Sequence, residues 1–233
     1  MIAAMCEQFV ACAEAPFRID SLWPFTERLE RNGIASYGWG ATWLGSDGEL
    51  HSHRDIGTFA EDVAGREEVG AQTTRAVLVH LRRPSKLSTI GPADTQPFDD
   101  PAGRYSFSHN GELANELRYR KQYKDAGRLH GKADTEVGAR WLEDQWNGGT
   151  DVPGLLARLH ETFEGDENLA VLTRDGAAYH YAGNSLNPVF TFDLGPIHVA
   201  STGIHSLDRS VFRFVVPEAT NRKLVPRSKT AVI

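Results

Sequence analysis

The pattern of hydrophobic and polar positions predicts two amphipathic helices near the middle of the chain. Apolar side chains recur at helical spacing in segments 134–146 and 151–163, where Val137 and Trp141 share one face of the first segment and Leu155 and Leu159 share one face of the second. Pro153 falls in the first turn of the second helix, where its missing N–H costs little. We expect both helices to bury one face against a sheet.

Strand-like segments lie on both sides of this helix pair. Segment 34–55 predicts a hairpin that turns at Asp47-Gly48, and segment 168–183 predicts one that turns at Asp175-Gly176. The remaining segments fall into three kinds. Strands are predicted for 75–82, 104–111, 188–194, 196–202 and 211–216, short helices for 21–33 (capped by Ser21 and ended by Gly33) and 59–68, and a loop for 84–104.

Hairpins grouped before and after a pair of helices are typical of an α+β fold rather than a doubly wound parallel sheet. We therefore predict a single domain over residues 6–216. Residues 217–233 form a polar tail that packs on the domain or frays from it. Residues 1–5 are treated as an extension that the working protein lacks.

Composition narrows the range of functions. The 233 residues carry a formal net charge of −6, and no stretch concentrates Lys and Arg, so neither nucleic acid nor an anionic membrane is an expected partner. The two cysteines, Cys6 and Cys12, make no disulfide framework. No apolar run is long enough to cross a bilayer, and the N-terminus lacks the basic start of a secretory signal. These features predict a cytoplasmic protein.

Four short pieces carry candidate chemistry: Met5-Cys6, segment 80–85 (HLRRPS), segment 108–113 (SHNGEL) and segment 132–136 (KADTE). Each has an ordinary structural interpretation when taken alone. Asn-Gly is a common turn, paired arginines are commonly solvated, and Asp before a helical stretch is a good N-cap.

In this order, together with Gln96-Pro97-Phe98, the pieces resemble the glutaminase domain of class II glutamine amidotransferases, a group of N-terminal-nucleophile hydrolases. The resemblance extends over nearly the whole chain. The chain is therefore similar to the stand-alone members of the family. It implies a four-layer αββα sandwich of two mostly antiparallel sheets. It also implies a small-molecule substrate and neither a cofactor nor a metal.

The resemblance assigns a role to each matching residue. Cys6 would be the nucleophile, and Asn110 with the backbone N–H of Gly111 would form the oxyanion hole. The substrate-binding residues would be Arg82 for the α-carboxylate of glutamine, Asp134 for its α-ammonium group and Ser85 for the same end of the molecule. Arg83 would point to the other face of an extended segment.

An N-terminal cysteine brings its own base. Its α-amine has a pKa of about 7.7–8.0 and can take the proton of the thiol, whose ordinary pKa is about 8.5. This amine exists only after residues 1–5 are gone, because otherwise the nitrogen of Cys6 is an amide. Either Met5 is the true start of the protein, or a short propeptide is cleaved.

The sequence leaves alternatives open. The expected reaction releases ammonia, which could pass to an unlinked synthase partner. The same site could instead cleave a γ-glutamyl amide of a larger amine, as in ergothioneine-type biosynthesis, or the chain could be a non-catalytic regulatory subunit. His51 and His53 share one strand face, but no third ligand is evident, so we expect solvated histidines and no metal site.

Overall fold

The structure is a computed structural model that describes residues 6–204 and 209–233. Within these ranges the strands form two sheets. The first contains β1 (Glu7–Arg18), β2 (Trp39–Leu44), β3 (Leu50–Asp55), β4 (Thr73–Leu81), β9 (Val189–Leu194), β10 (Ile197–Thr202) and β11 (Thr220–Leu224). The second contains β5 (Phe98–Asp99), β6 (Tyr105–Gly111), β7 (Glu167–Thr173), β8 (Ala178–Ala182) and β12 (Lys229–Val232).

All described strand pairs are antiparallel. The strand order of the first sheet is β11-β9-β10-β1-β4-β2-β3, and that of the second is β12-β8-β7-β6-β5. The strand that begins next to Cys6, β1, lies at the centre of the first sheet between β10 and β4. The strand that ends in Asn110-Gly111, β6, lies between β5 and β7 in the second.

Helices cover the outer face of each sheet. They are α1 (Trp23–Asn32), α2 (Val63–Gly70), α3 (Glu116–Asp125), α4 (Asp134–Gln145), α5 (Val152–Phe163) and α6 (Val211–Phe214). Side chains of α1, α2 and α6 pack on the first sheet, and those of α3, α4 and α5 pack on the second. A smaller apolar cluster lies between the sheets. The predicted αββα sandwich is confirmed.

The amphipathic helices follow the predicted pattern closely. The structure has α4 and α5 over nearly the predicted ranges, and the faces that carry Val137, Leu142, Leu155 and Leu159 are fully buried. Both predicted hairpins are present, with Gly48 and Gly176 at positive φ in their turns. The buried strand, β4, and the strand before Asn110-Gly111, β6, are also where the sequence predicts them.

Three local predictions are wrong. Ser21 does not cap α1, because its hydroxyl donates to the Arg18 carbonyl within a 3-10 turn (Ile19–Leu22) and the helix begins at Trp23. Segment 211–216, predicted as a strand, contains the short helix α6, because Val211, Val215 and Val216 pack together on the core of the first sheet. The polar helix α3 is absent from the sequence prediction.

The segment after Pro217 supplies an edge strand to each sheet. The first of these strands, β11, pairs with β9, and the second, β12, pairs with β8 in the other sheet. Residues of this segment therefore pair with strands of both sheets. The extension of residues 1–5 lies outside the described residues.

Candidate active site

Cys6 lies directly before β1, at the edge of the space between the two sheets. The register of β1 with β4 sets Glu7 opposite Leu81, which brings Cys6 alongside the next residues of that chain segment, Arg82 and Arg83. The thiol sulfur accepts a hydrogen bond from the backbone N–H of Arg83 at 3.2 Å. Only 8% of the Cys6 surface is exposed. The thiol is therefore held in place and largely shielded from water.

This environment disfavours the thiolate. Burial raises the pKa of the Cys6 thiol to about 11, and the N–H of Arg83 and the positive charge of Arg82 offset only part of this effect. Because so little thiolate forms at neutral pH, a reaction at Cys6 needs a base close to the sulfur.

Asn110 and Gly111 end β6 in the second sheet. Asn110 is completely buried, and neither its amide nitrogen nor its amide oxygen has a hydrogen-bond partner among the described residues. A buried amide with nothing to bind is costly for a fold, so the side chain is available to a ligand. Gly111 has a φ of 135°, and a Cβ there would lie 2.0 Å from the carbonyl oxygen of Asp166. Only glycine fits this close approach.

A hydrogen bond across the sandwich sets the cysteine and the asparagine at the same end of the space between the sheets. The hydroxyl of Ser108 on β6 donates to Gln8 Oε1 on β1 at 2.6 Å. Successive side chains of a strand alternate between faces, so Cys6 shares the face of Gln8, and Asn110 shares the face of Ser108.

Asn168 on β7, directly opposite Asn110, completes this link between the sheets. Its carbonyl accepts a hydrogen bond from Gln8 Nε2, and its side-chain nitrogen donates to the Asn187 carbonyl at 2.7 Å. The Asn187 amide, in turn, lies 3.5 Å from the carbonyl of Cys6. The strand of the cysteine and the strand pair of the Asn-Gly motif are thus joined by one buried network.

Arg82 is buried, with 4% of its surface exposed. Its Nη2 donates to the carbonyl oxygen of Thr89 at 2.8 Å and to the hydroxyl at 2.9 Å, which ties segment 84–91 to the end of β4. Burial lowers the pKa of Arg82, while the carboxylates of Asp94 and Asp134 raise it. Within the described residues, the guanidinium group makes its hydrogen bonds through Nη2, so the N–H groups of Nη1 remain for an anion.

Asp134 is the first residue of α4 and is not its N-cap, which is Ala133. The carboxylate accepts hydrogen bonds from the N–H groups of Leu113 and Thr135, both at 2.9 Å, and lies 4.0 Å from His109 Nδ1. About a quarter of the Asp134 side chain is exposed. The carboxylate therefore lies just past the Asn-Gly motif with room for one more partner.

The other predicted positions are more peripheral. Ser85 lies on an exposed segment, and no contact of its side chain with the site residues is found in the described structure. Arg83 points outward and binds the Ile34 carbonyl and the Ser36 hydroxyl, as its place in an extended segment predicts. His51 and His53 contact the carboxylates of Asp47 and Asp62.

Sequence reasoning missed several residues that organise the site. Gln96 accepts a hydrogen bond from the backbone N–H of His109 and donates to Thr135 Oγ1, so it joins β6 to the start of α4. Asp94 and Asn168 were not singled out either. Only the Gln-Pro-Phe element hinted at Gln96, and no sequence signal marks Asp94 or Asn168, because their partners are distant in the chain.

The middle of the chain matches a known protein family. Residues 85–182 match the model of a family described as glutamine amidotransferase domain. Over these residues the chain is similar to glutamine amidotransferase domains. The matched segment includes Asn110, Gly111 and Asp134, while Cys6 and Arg82 lie before it. The resemblance that the sequence motifs predict is confirmed.

Curated relatives share the domain but are longer. Glutamine–fructose-6-phosphate aminotransferase (isomerizing) of Bacillus subtilis is 24% identical over 169 residues, which are 70% of this chain and 26% of that protein. The same enzyme of Bacillus spizizenii matches equally well. The matched region thus spans about a quarter of the length of these relatives.

Solved structures confirm the N-terminal-nucleophile hydrolase fold. Glutamine phosphoribosylpyrophosphate amidotransferase from B. subtilis has a TM-score of 0.72 at 18% identity, over 98% of this chain and 47% of that chain. A glutamine aminotransferase class-II domain protein from Silicibacter pomeroyi has a TM-score of 0.61 at 16% identity, and 98% of that chain is covered. In the described ranges, none of the helices has the length and apolar character of a membrane span.

Proposed function

We propose that this glutamine amidotransferase domain hydrolyses the γ-amide of glutamine through a thioester on Cys6 and releases glutamate and ammonia. The observation that carries the proposal is the juxtaposition of the buried thiol of Cys6 with the buried amide of Asn110, which has no partner among the described residues. A nucleophile and an unused hydrogen-bond donor at one end of the space between the sheets suit attack on a carbonyl group.

The base in this proposal is the α-amine of Cys6 itself. Burial raises the pKa of the thiol to about 11, so the sulfur must lose its proton as it attacks the substrate. A free α-amine at Cys6 would take that proton and later return it to the departing ammonia. Water then attacks the thioester carbonyl and gives a proton to the amine. The carbon–sulfur bond breaks, the amine returns the proton to the sulfur of Cys6, and glutamate leaves. This mechanism requires that residues 1–5 are removed.

The remaining roles follow from the positions of charge. Arg82 Nη1 would bind the α-carboxylate, and Asp134 would bind the α-ammonium group. The oxygen of the tetrahedral intermediate would accept hydrogen bonds from Asn110 Nδ2 and the N–H of Gly111. Ser85 would approach the amino-acid end of the substrate only if segment 84–91 moves over it. We propose a cytoplasmic enzyme without a cofactor, whose ammonia could serve a separate synthase.

Two forms of the protein test this function. One begins at Cys6, with its intact mass verified, and the other retains residues 1–5. The form that begins at Cys6 should convert glutamine to glutamate and ammonia, and the longer form should be inactive because its Cys6 nitrogen is an amide. Equal activity of both forms would contradict the proposed base.

The same assay separates the alternative substrates. If the form that begins at Cys6 leaves glutamine intact but cleaves a γ-glutamyl amide of a larger amine, the leaving group is not ammonia. If neither substrate reacts and the thiol resists alkylation by a glutamine-like chloromethyl ketone, the domain is not catalytic.

A further inference from the structure

Four consecutive backbone N–H groups before Asp134 point at two buried carboxylates. Asp94 Oδ1 accepts hydrogen bonds from the N–H groups of Lys132 and Ala133, both at 2.6 Å. The carboxylate of Glu136 accepts those of His130 and Gly131, at 2.9 Å and 2.8 Å. Asp94 and Glu136 have 6% and 1% of their surfaces exposed. We call residues 130–133 the Asp134 approach.

The carbonyl groups of the same segment are held from the other side. Arg120 Nη2 on α3 donates to the carbonyl oxygens of Lys132 and Ala133, at 3.0 Å and 2.9 Å, while its Nε pairs with Glu116. The last two residues of the Asp134 approach, Lys132 and Ala133, are therefore held at both N–H and C=O. Such an arrangement leaves the following residue little freedom.

Asp94 also connects this segment to the arginine. It lies in the 3-10 turn Pro92–Asp94, in the same loop as Thr89, which binds the guanidinium group of Arg82. The negative charge of Asp94 acts on Arg82 directly. Gly131 meets Asp94 so closely that a Cβ would lie 2.2 Å from Oδ1, which requires glycine there. One buried carboxylate thus contacts the Asp134 approach and faces the charge of Arg82.

We propose that Asp94 is a specificity-determining positioning residue that sets the separation between Arg82 and Asp134. It makes the site demand a substrate with both an α-carboxylate and an α-ammonium group, which is a free amino acid. This inference rests on the proposed function. Glu136 orders the same segment but lies on α4 with Asp134, so it does not connect Asp134 to the arginine.

Double-mutant kinetics with two substrates test this role. Glutamine and 4-carbamoylbutanoate, which is glutamine without its α-amine, are compared in wild type, Asp94→Ala, Asp134→Ala and the double variant. Asp94→Ala should lower kcat/KM for glutamine about 10-fold, mainly through KM, and leave kcat/KM for 4-carbamoylbutanoate unchanged. The double variant should be no worse on glutamine than Asp134→Ala, because residues that act through one another are not additive.

Controls separate positioning from a loss of structure. Asp125→Ala, at an exposed acidic position on α3, should match wild type on both substrates. Asp94→Asn keeps an oxygen that can accept the two N–H groups, so it should recover part of the loss on glutamine. If Asp94→Ala does not fold, Asp94→Asn replaces it in the same kinetic comparison.

The outcomes distinguish the role of Asp94 from the proposed function. Equal losses on both substrates, or losses that add to those of Asp134→Ala, would overturn the role of Asp94 and leave the glutaminase proposal intact. A wild-type domain that begins at Cys6 and hydrolyses neither substrate would overturn the proposed function, and the role of Asp94 with it.

Discussion

The space between the two sheets has an apolar end and a polar end, and the same strands line both. At the apolar end, Val10 of β1 packs with Leu78 of the adjacent strand β4 and with Leu172 of β7 in the opposite sheet, all fully buried. At the polar end, Gln8, one inward position earlier on β1, binds Ser108 on the opposite sheet. The change of character occurs within two residues of a single strand.

The two ends therefore contribute differently: the apolar end stabilises the fold, and the polar end carries the candidate active site. Apolar burial at one end holds the sheets together without directional demands. At the other end, each buried polar group needs a partner or a purpose, and Asn168 has several partners while Asn110 has none in the described part of the chain. The comparison predicts that substitutions at the two ends will affect different measurements.

The largest expected effect is at Cys6, the proposed nucleophile. Cys6→Ser should lower kcat for glutamine at least ~10³-fold, because a hydroxyl is a much weaker nucleophile than a thiol with the same base. Its thermal midpoint should stay close to that of wild type, since the two side chains are similar in size. Cys12→Ser, the matched control at the half-buried second cysteine, should keep full activity. Wild-type turnover by Cys6→Ser would exclude Cys6 as nucleophile.

Two asparagines on neighbouring strands provide the sharpest test of the polar end. Asn110→Ala should lower kcat about 10²–10³-fold by removing an oxyanion donor, with no loss of stability, since its amide has no partner in the described structure. Asn168→Ala should instead destabilise the protein, by roughly 1–3 kcal/mol for each buried group left unsatisfied. Steady-state kinetics and denaturant unfolding of both variants check this. A large stability loss in Asn110→Ala would contradict the proposed role.

The apolar end should show the opposite response. Leu78→Ala removes a fully buried side chain and should cost about 2–5 kcal/mol of unfolding free energy. At temperatures well below the midpoint, KM and kcat for glutamine should match wild type, because Leu78 lies away from Cys6 and Asn110. Urea unfolding and steady-state kinetics measure the two effects. A change in kcat larger than the change in folded fraction would mean that the two ends are coupled.

The smallest expected effect is a pH dependence of stability from Glu7, whose buried carboxylate accepts a hydrogen bond from Asn187 in the polar network. Burial raises the pKa of Glu7, next to Cys6, to about 7 from the ordinary 4.5. As pH rises from about 4.5 to 7, the unfolded chain releases this proton before the folded protein does, so the unfolding free energy falls. Glu7→Gln should flatten this decline, and the exposed Glu14→Gln should not. Urea unfolding at pH 5, 6, 7 and 8 measures the slope.

The sequence predicts the parts of this fold in which local pattern and burial agree. The helical stripes of α4 and α5 and the Asp-Gly turns are such cases. It does not predict α3, whose ten residues are largely polar and bury only Tyr123 fully. It misassigns segment 211–216, because alternating aromatic and β-branched residues favour a strand until the core of the first sheet supplies a surface for a helical turn.

The candidate site divides in the same way. Motif order predicts Cys6, Arg82, Asn110, Gly111 and Asp134, because their spacing is itself the signal. Motif order does not predict the residues that support the site. Asn168 becomes important only because β7 pairs with β6 in one register, and Asp94 only because a loop after β4 meets the start of α4. Such contacts depend on tertiary structure.

The last two strands also determine how the molecule opens. Since β11 belongs to one sheet and β12 to the other, residues 225–228 form a short strap across one side of the sandwich. Backbone hydrogen bonds of Val225 and Ser228 to each sheet fasten this strap at both ends. The sheets cannot separate on that side while both strands stay paired. Amide protons of β11 and β12 should therefore exchange with solvent in a single concerted event rather than as independently fraying edges.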